Sequence, residues 1–411
     1  MKIYPLETII SYAREHSSFY KKLYAQLGEN PSLEQLPLVE QADFWDAADR
    51  DEVNTFAHID GQIFKSGGTT GVPKHALYAA EEWRTMCEAA GIHMPLGGLK
   101  QGDKVANMFY SGSLYASFLF SYGSFLFSPL QILQYSLSGN MEIAEIAKTV
   151  EGMKINCLAG LPSKIMNVLE YMTEQKMEIS YINVIYYAGE TFYPDQRRRV
   201  SAILGDTVDF RSMSYASNDA GFMAYFHKES CGFNEHRSSD MFCKLELIDT
   251  ETGEVITEAG RPGQIYVTSL YKLLMPIIRY PAGDMGEYTE PEGVPDRKFK
   301  LLGRSEEAAR VSYVTICPED IGYVLDKLGI TYDGFQMVIT HEDGRDKLTV
   351  RIAAKNEADG LLEELYNGRG VLKEAVQKGD VHIPIVEYCK LEQFEYNKRT
   401  GKLKRILDKR L

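Results

Sequence analysis

The sequence predicts an α/β protein in two parts. A large N-terminal domain holds helix-covered, largely parallel strands followed by a β-rich section, and a small α+β C-terminal domain completes the chain. Three observations predict it. From Lys104 onward, short apolar runs alternate with longer segments of helical periodicity. After Phe222 the texture changes to alternating strands and turns, and after Gly303-Arg304 it changes again to one helix and a hairpin. With 411 residues, 44% of them hydrophobic, the chain can build more than one core.

In chain order, Ile9, Tyr12, Ala13 and Leu23 recur near helical spacing, so the first 50 residues read as short amphipathic helices broken at Pro31 and Pro37. Lys104–Phe109, Ile155–Ala159 and Ile182–Ala188 read as strands, with helices over Met141–Gly152 and Pro162–Lys176 between them. The stretch Phe118–Leu133 is the most apolar. Ser121, Gly123, Ser124, Ser128 and Pro129 interrupt it, so it reads as a buried element and not a membrane span. Phe242–Ile248 and Gln264–Leu270 alternate as strands around a turn at Thr250–Glu254. Pro318–Leu328 reads as a helix opened by proline, with Glu319 and Asp320 suiting the positive end of its dipole. Met337–Thr340 and Lys347–Ala353 read as a hairpin around His341–Asp346. The expected domains are 1–304 and 305–411.

The formal charge of −13 disfavours a nucleic-acid or anionic-membrane surface. Six cysteines in 411 residues do not make a disulfide scaffold, and the opening segment has no signal-peptide pattern, so a cytoplasmic protein is expected.

The sharpest local pattern is Ser66-Gly67-Gly68-Thr69-Thr70-Gly71-Val72-Pro73-Lys74. Glycines let backbone N–H groups surround an anion, threonine hydroxyls add donors, and the lysine adds charge. The spacing fits neither the nucleotide P-loop nor the dinucleotide fingerprint. A second cluster, His227, Cys231, His236 and Cys243, has the donor types of a tetrahedral zinc site, though the spacing is irregular and Cys243 falls in a strand.

The nine-residue string resembles the phosphate loop of the adenylate-forming superfamily, and further segments follow in that family's order. Tyr187-Ala188-Gly189-Glu190 resembles the Gly-Glu segment beside the acyl and adenine pocket. Tyr215-Ala216-Ser217-Asn218-Asp219 stands for Tyr-Gly-x-Thr-Glu. Arg279–Asp284 resembles the ribose segment, Gly303–Glu306 the hinge, and Thr400–Arg405 the terminal lysine motif. The opening Tyr12–Tyr20 and the terminal Arg399–Arg410 are similar to the phenylacetate-CoA ligase-like branch. The resemblance implies ATP-dependent conversion of an aromatic or small hydrophobic carboxylic acid to an acyl adenylate, then transfer to CoA. It also implies that 305–411 is a mobile lid.

The resemblance assigns Lys402 to bridging the carboxylate and α-phosphate oxygens and Asp219 to Mg²⁺. It assigns ATP to Ser66, Gly67, Gly68, Thr69, Thr70, Gly71, Lys74, Gly189, Glu190, Tyr215, Ser217, Asn218, Asp284 and Arg304. The acid pocket falls to Tyr110, Ser111, Tyr115, Tyr187 and Ala188. Expected cofactors are ATP, Mg²⁺ and CoA, with Zn²⁺ as the additional candidate. Expected partners exclude nucleic acid and membrane and leave a homodimer open. Three departures matter: Ala216 replaces a glycine, Asp219 shortens the magnesium carboxylate by one methylene, and Val311-Ser312-Tyr313-Val314 lacks the glycine expected where the thiol arm passes. The last leaves a carrier protein or an amine as the alternative acceptor; a nucleotide-binding module without turnover is the alternative of another class.

Overall fold

The computed structural model describes residues 1–55, 60–66, 74–189, 192, 194–250, 252–304, 309–316, 318–354, 356–357, 359–396 and 403–410. They divide into two units. The first comprises Met1–Ser66, Lys74–Phe192 and Arg197–Leu302; the second is mainly Gly303 to the C-terminal end.

In the first unit, strands Lys104–Asn107, Leu133–Ser136, Cys157–Gly160, Val184–Tyr187 and Asp209–Ser212 form an all-parallel five-stranded sheet. Helices Ile143–Met153 and Pro162–Glu174 supply the crossovers expected from the apolar periodicity. Their inward faces, including Ile146, Val150, Ile165 and Leu169, are fully buried with Leu158 and Ile185 of the sheet in one core. Pro162 opens its helix, where a missing N–H costs nothing.

A second sheet of eight strands runs from Val255–Ile256 at one edge to Ser214–Ser217 at the other. Its central strands Cys243–Ile248, Pro262–Ser269 and Tyr280–Tyr288 pair antiparallel. Its core takes in the N-terminal helices Leu6–His16, Ser18–Leu23 and Gln41–Asp49 through Ile9, Tyr20 and Phe44. The buried Arg279 anchors this packing. Its guanidinium donates twice to Glu246, at 3.0 and 2.9 Å, and once to the Leu36 carbonyl at 2.6 Å.

One expectation is corrected here. The apolar stretch 118–133 is not a buried element: helix Ser117–Leu126 leaves Leu119, Tyr122 and Leu126 exposed, and Leu133 is 58% exposed on the sheet's edge strand. Ser121 and Ser124 occupy the helix's buried face instead, donating to carbonyls one turn back at 2.9 and 2.7 Å. Among the described residues no helix is long and apolar enough to cross a membrane.

In the second unit, strands Ile385–Tyr388, Arg345–Ala354, Tyr332–Glu342 and Ile406–Asp408 form a four-stranded sheet in that order. Helices Pro318–Lys327, Leu361–Gly368 and Gly370–Gln377 bury Ile321, Leu325, Leu365 and Leu372 with it. The hairpin turn is tighter than the six residues expected. The ladder continues through Glu342↔Arg345, and Asp343 and Gly344, at φ 47° and 80°, form a two-residue connection. That dipeptide suits the positive φ values which a tight hairpin matching strand twist requires.

Candidate active site

The first unit gathers the carboxylates expected to face a nucleotide. Strand Ser214–Ser217 leads into a turn carrying Asn218 and Asp219, and Gly221 follows at φ 84° to start strand Gly221–Tyr225. Asp219 is half-buried. Its Oδ1 accepts from Ser217 Oγ at 2.6 Å and its Oδ2 from the Tyr280 hydroxyl at 2.7 Å. Trp45 Nε1 donates to that same hydroxyl at 2.8 Å, fixing its direction. Burial opposes ionisation of Asp219. The Ser217 and Tyr280 hydrogen bonds and the charge of Lys74 outweigh it, holding the carboxyl below its usual range. Lys74, itself buried, donates to Gln41 Oε1 at 2.9 Å. Tyr215 donates to Asp284 Oδ2 at 2.8 Å, joining the candidate ribose ligand to the same strand.

The backbone of the turn is held from beneath. Tyr78 donates to the Asn218 carbonyl at 2.8 Å, and Asn218 Nδ2 donates to the Lys65 carbonyl at 2.9 Å. Lys272 Nζ donates to the Asp219 carbonyl at 2.7 Å and lies 3.8 Å from the centre of the Tyr78 ring. Tyr280, Tyr78 and Lys272 had no role in the sequence reading. Lys272 left a signal, being the one charge in the apolar run Leu270–Ile278.

The acid-pocket candidates follow the C-terminal ends of parallel strands, where open α/β sheets place ligands. Tyr110 and Ser111 come after Lys104–Asn107, and Ala188 and Gly189 after Val184–Tyr187, with Gly189 at φ 85°. The sheet order reverses beside Lys104–Asn107, which makes its C-terminal end the topological switch point. Ser111 Oγ shares a 2.8 Å hydrogen bond with Ser138 Oγ, and Asn140 Nδ2 donates to the Ser111 carbonyl at 2.7 Å. Gly112, Ser113 and Leu114 all take positive φ, and the Leu114 carbonyl accepts from the Lys65 amide at 2.9 Å. This run therefore joins the Tyr110–Tyr115 loop to the strand Gly61–Ser66. Tyr187 itself is buried, its hydroxyl accepts from Arg197 at 2.7 Å, and its ring packs edge-on against Phe192.

The zinc set is not brought together. Among the described residues no three His, Cys, Asp or Glu side chains form a group able to hold a metal ion. His236 Nε2 pairs with Ser212 Oγ at 2.8 Å, and the Cys243 thiol contacts the Met223 carbonyl at 3.2 Å. Burial pushes the Cys243 thiol up to about 12, against the ionisation that zinc ligation needs.

Gly67, Gly68, Thr69, Thr70, Gly71, Glu190 and Lys402 lie outside the described residues, as do the Ser66 and Arg304 side chains and the hinge residues Ser305 and Glu306. The flanks Ser66 and Lys74 are register partners in the hairpin Gly61–Ser66/Lys74–Ala79.

Residues 314–410 match the family described as the AMP-binding enzyme C-terminal domain. The phenylacetate-coenzyme A ligase of Thermus thermophilus is 22% identical over 392 residues, covering 91% of this chain and 84% of that protein. The phenylacetate-coenzyme A ligase of Aromatoleum evansii is 23% identical over 427 residues, covering 98% and 93%. A crystal structure of 2-hydroxyisobutyryl-CoA ligase with 2-HIB-AMP and CoA superposes with a TM-score of 0.72 at 19% identity, over 98% of this chain and 88% of that one. The amide bond synthetase McbA from Marinactinospora thermotolerans gives 0.56 at 14% identity, over 84% and 67%. The chain therefore shares the fold of 2-hydroxyisobutyryl-CoA ligase, matches the AMP-binding enzyme C-terminal domain family over residues 314–410, and is similar along nearly its whole length to phenylacetate-coenzyme A ligases.

Proposed function

We propose that the protein is an AMP-forming acid–thiol ligase. A carboxylate oxygen attacks the α-phosphorus of ATP and pyrophosphate leaves, giving an acyl adenylate. The CoA thiol, losing its proton, then attacks the acyl carbon and AMP leaves, giving a thioester. Aromatic or small hydrophobic acids are the substrate class, an assignment supported by the similarity to phenylacetate-coenzyme A ligases.

The observation that carries the reading is the joined pair of carboxylates, Asp219 held ionised by Ser217, Tyr280 and Lys74, and Asp284 fixed by Tyr215. Attack of one anion on another requires fixed positive charge and oriented donors, because the repulsion otherwise dominates the barrier. Asp219 fits Mg²⁺: it is a hard oxygen donor, oriented on both oxygens and kept deprotonated, and Mg²⁺ commonly uses one or two carboxylates beside substrate phosphates. When bound there, the ion supplies neutralisation of phosphate charge. Asp284 accepts from the ribose hydroxyls. Lys74 contributes positive charge near Asp219, and Lys402 is assigned the bridging contact to the carboxylate and α-phosphate oxygens. Residues 305–411 act as the lid domain that delivers it.

A second reading, transfer to an amine or carrier protein, is favoured by one observation. Ser312 and Tyr313 form the turn between strands Ala309–Val311 and Val314–Ile316, with Ser312 at φ 55° and the Tyr313 hydroxyl donating to Asp380 at 3.1 Å. A tyrosine so held stands where the resemblance expects a glycine beside the thiol arm. Mass spectrometry of products from purified protein, ATP, an acid panel and CoA decides between them. A CoA thioester supports the first reading; acyl adenylate without thioester supports the second.

A further inference from the structure

The reaction as proposed leaves the buried Lys272 unused. Lys272 sits in the connection between strands Pro262–Ser269 and Tyr280–Tyr288 and is 0% exposed. Burial of an ammonium is costly unless partners replace its hydration. Its partners here are the Asp219 carbonyl at 2.7 Å and the face of the Tyr78 ring at 3.8 Å, with the charges of the Glu82 and Asp219 carboxylates nearby favouring the ammonium. The residues around it are equally fixed. Glu82, in the first turn of helix Ala80–His93, accepts from the backbone amides of Ala79, Leu273 and Leu274 at 2.9, 2.6 and 2.8 Å. The segment just after Lys272 is thereby tied to the helix. On its other side, the Tyr271 hydroxyl accepts from the Phe222 amide at 2.8 Å.

Lys272 therefore stands on a rigid base and bonds the main chain of the residue whose carboxylate is directed to Tyr280 and Ser217. An apolar side chain at this place would deny the Asp219 carbonyl this donor and the buried Glu82 this opposite charge, so packing alone does not account for a lysine. A charged donor on a single carbonyl does something packing does not: it fixes the rotation of the peptide carrying Asp219.

We propose that Lys272 is a positioning residue, holding the Asn218–Asp219 turn so that the Asp219 carboxylate is presented to the metal–nucleotide complex. The inference rests on the reading of Asp219 as the Mg²⁺-facing carboxylate. Groups that orient metal ligands from behind are commonly worth ten- to a hundredfold in metal affinity.

The test measures equilibrium binding of ATP by calorimetry, without acid and therefore without turnover, across a Mg²⁺ series. Wild type, Lys272→Met, Lys272→Gln and Asp219→Ala are compared, and the Michaelis constant for the acid is measured separately. Lys272→Met is expected to weaken the Mg²⁺-dependent strengthening of ATP binding about tenfold. ATP binding without metal and the acid constant should stay within about twofold of wild type, a split that general loosening of the fold does not produce. Lys272→Gln, polar and better tolerated in the same space, should shift in the same direction. A Mg²⁺ dependence unchanged in the Lys272 variants but lost in Asp219→Ala overturns the inference and leaves the reading of Asp219 intact. Unchanged Mg²⁺ dependence in Asp219→Ala overturns that reading itself. Failure of both neutral variants to unfold cooperatively makes Lys272 a folding element and overturns the inference as well.

Discussion

Asp219, Arg279 and His236 show three different uses of a buried or half-buried polar group. Asp219→Asn preserves shape but removes the charge that Lys74 and Mg²⁺ would meet, so adenylation should fall by roughly two orders of magnitude with melting temperature little changed. Initial rates and thermal melts on one preparation check this. Arg279 and Glu246 are 4% and 7% exposed, so removing one partner strands the other charge. Arg279→Met should cost about 3–5 kcal/mol in urea unfolding, the usual range for a broken buried pair. For His236, burial pulls the imidazole down to about 4 from an ordinary 6.5. Above 6.5 the ring is neutral in folded and unfolded chains alike. Between 6.5 and 4 only the unfolded chain takes the proton, so stability falls with falling pH, by an amount on the order of 3 kcal/mol across the window. His236→Gln should flatten that part of the profile; an unchanged slope would locate the titration elsewhere.

At the level of elements, the parallel strands and their crossover helices were legible because each apolar face repeats at its own period and both faces of the sheet are buried. Strand ends slipped by one or two residues: Lys104–Phe109 stops at Asn107, where the Asn107 side chain turns back onto the Phe109 amide at 3.3 Å. The helix Ser117–Leu126 was misjudged because hydrophobic composition does not reveal which face meets a neighbour. The site was half legible. The positions of Asp219 and Asp284 came from resemblance, whereas Tyr78, Tyr280 and Lys272 come from distant segments that only the folded sheet brings under one turn. Gly221 shows how tight that turn is. At φ 84°, a Cβ there would sit 2.1 Å from the Tyr271 hydroxyl oxygen. Gly221→Ala should therefore destabilise the chain by about 2 kcal/mol or more and lower ATP use along with it. A variant with normal stability and normal ATP affinity would remove the turn from the argument.

On the scale of the whole molecule, ATP and acid are proposed to bind residues 1–304, and the bridging lysine to come from residues 305–411. Lys402→Ala should then lower adenylation by roughly two or more orders of magnitude while equilibrium ATP binding persists. An equal loss in Lys398→Ala, with Lys402→Ala active, would move the assignment along the basic tail. The central claim is that this chain activates a carboxylic acid on the α-phosphate of ATP. Exchange of labelled pyrophosphate into ATP, run with a panel of aromatic and small hydrophobic acids, measures that step alone, whatever the final acceptor. The expected result is exchange that requires both an acid and Mg²⁺ and is abolished in Asp219→Ala. ATP binding with no acid-dependent exchange for any acid would contradict it and leave a nucleotide-binding protein without turnover.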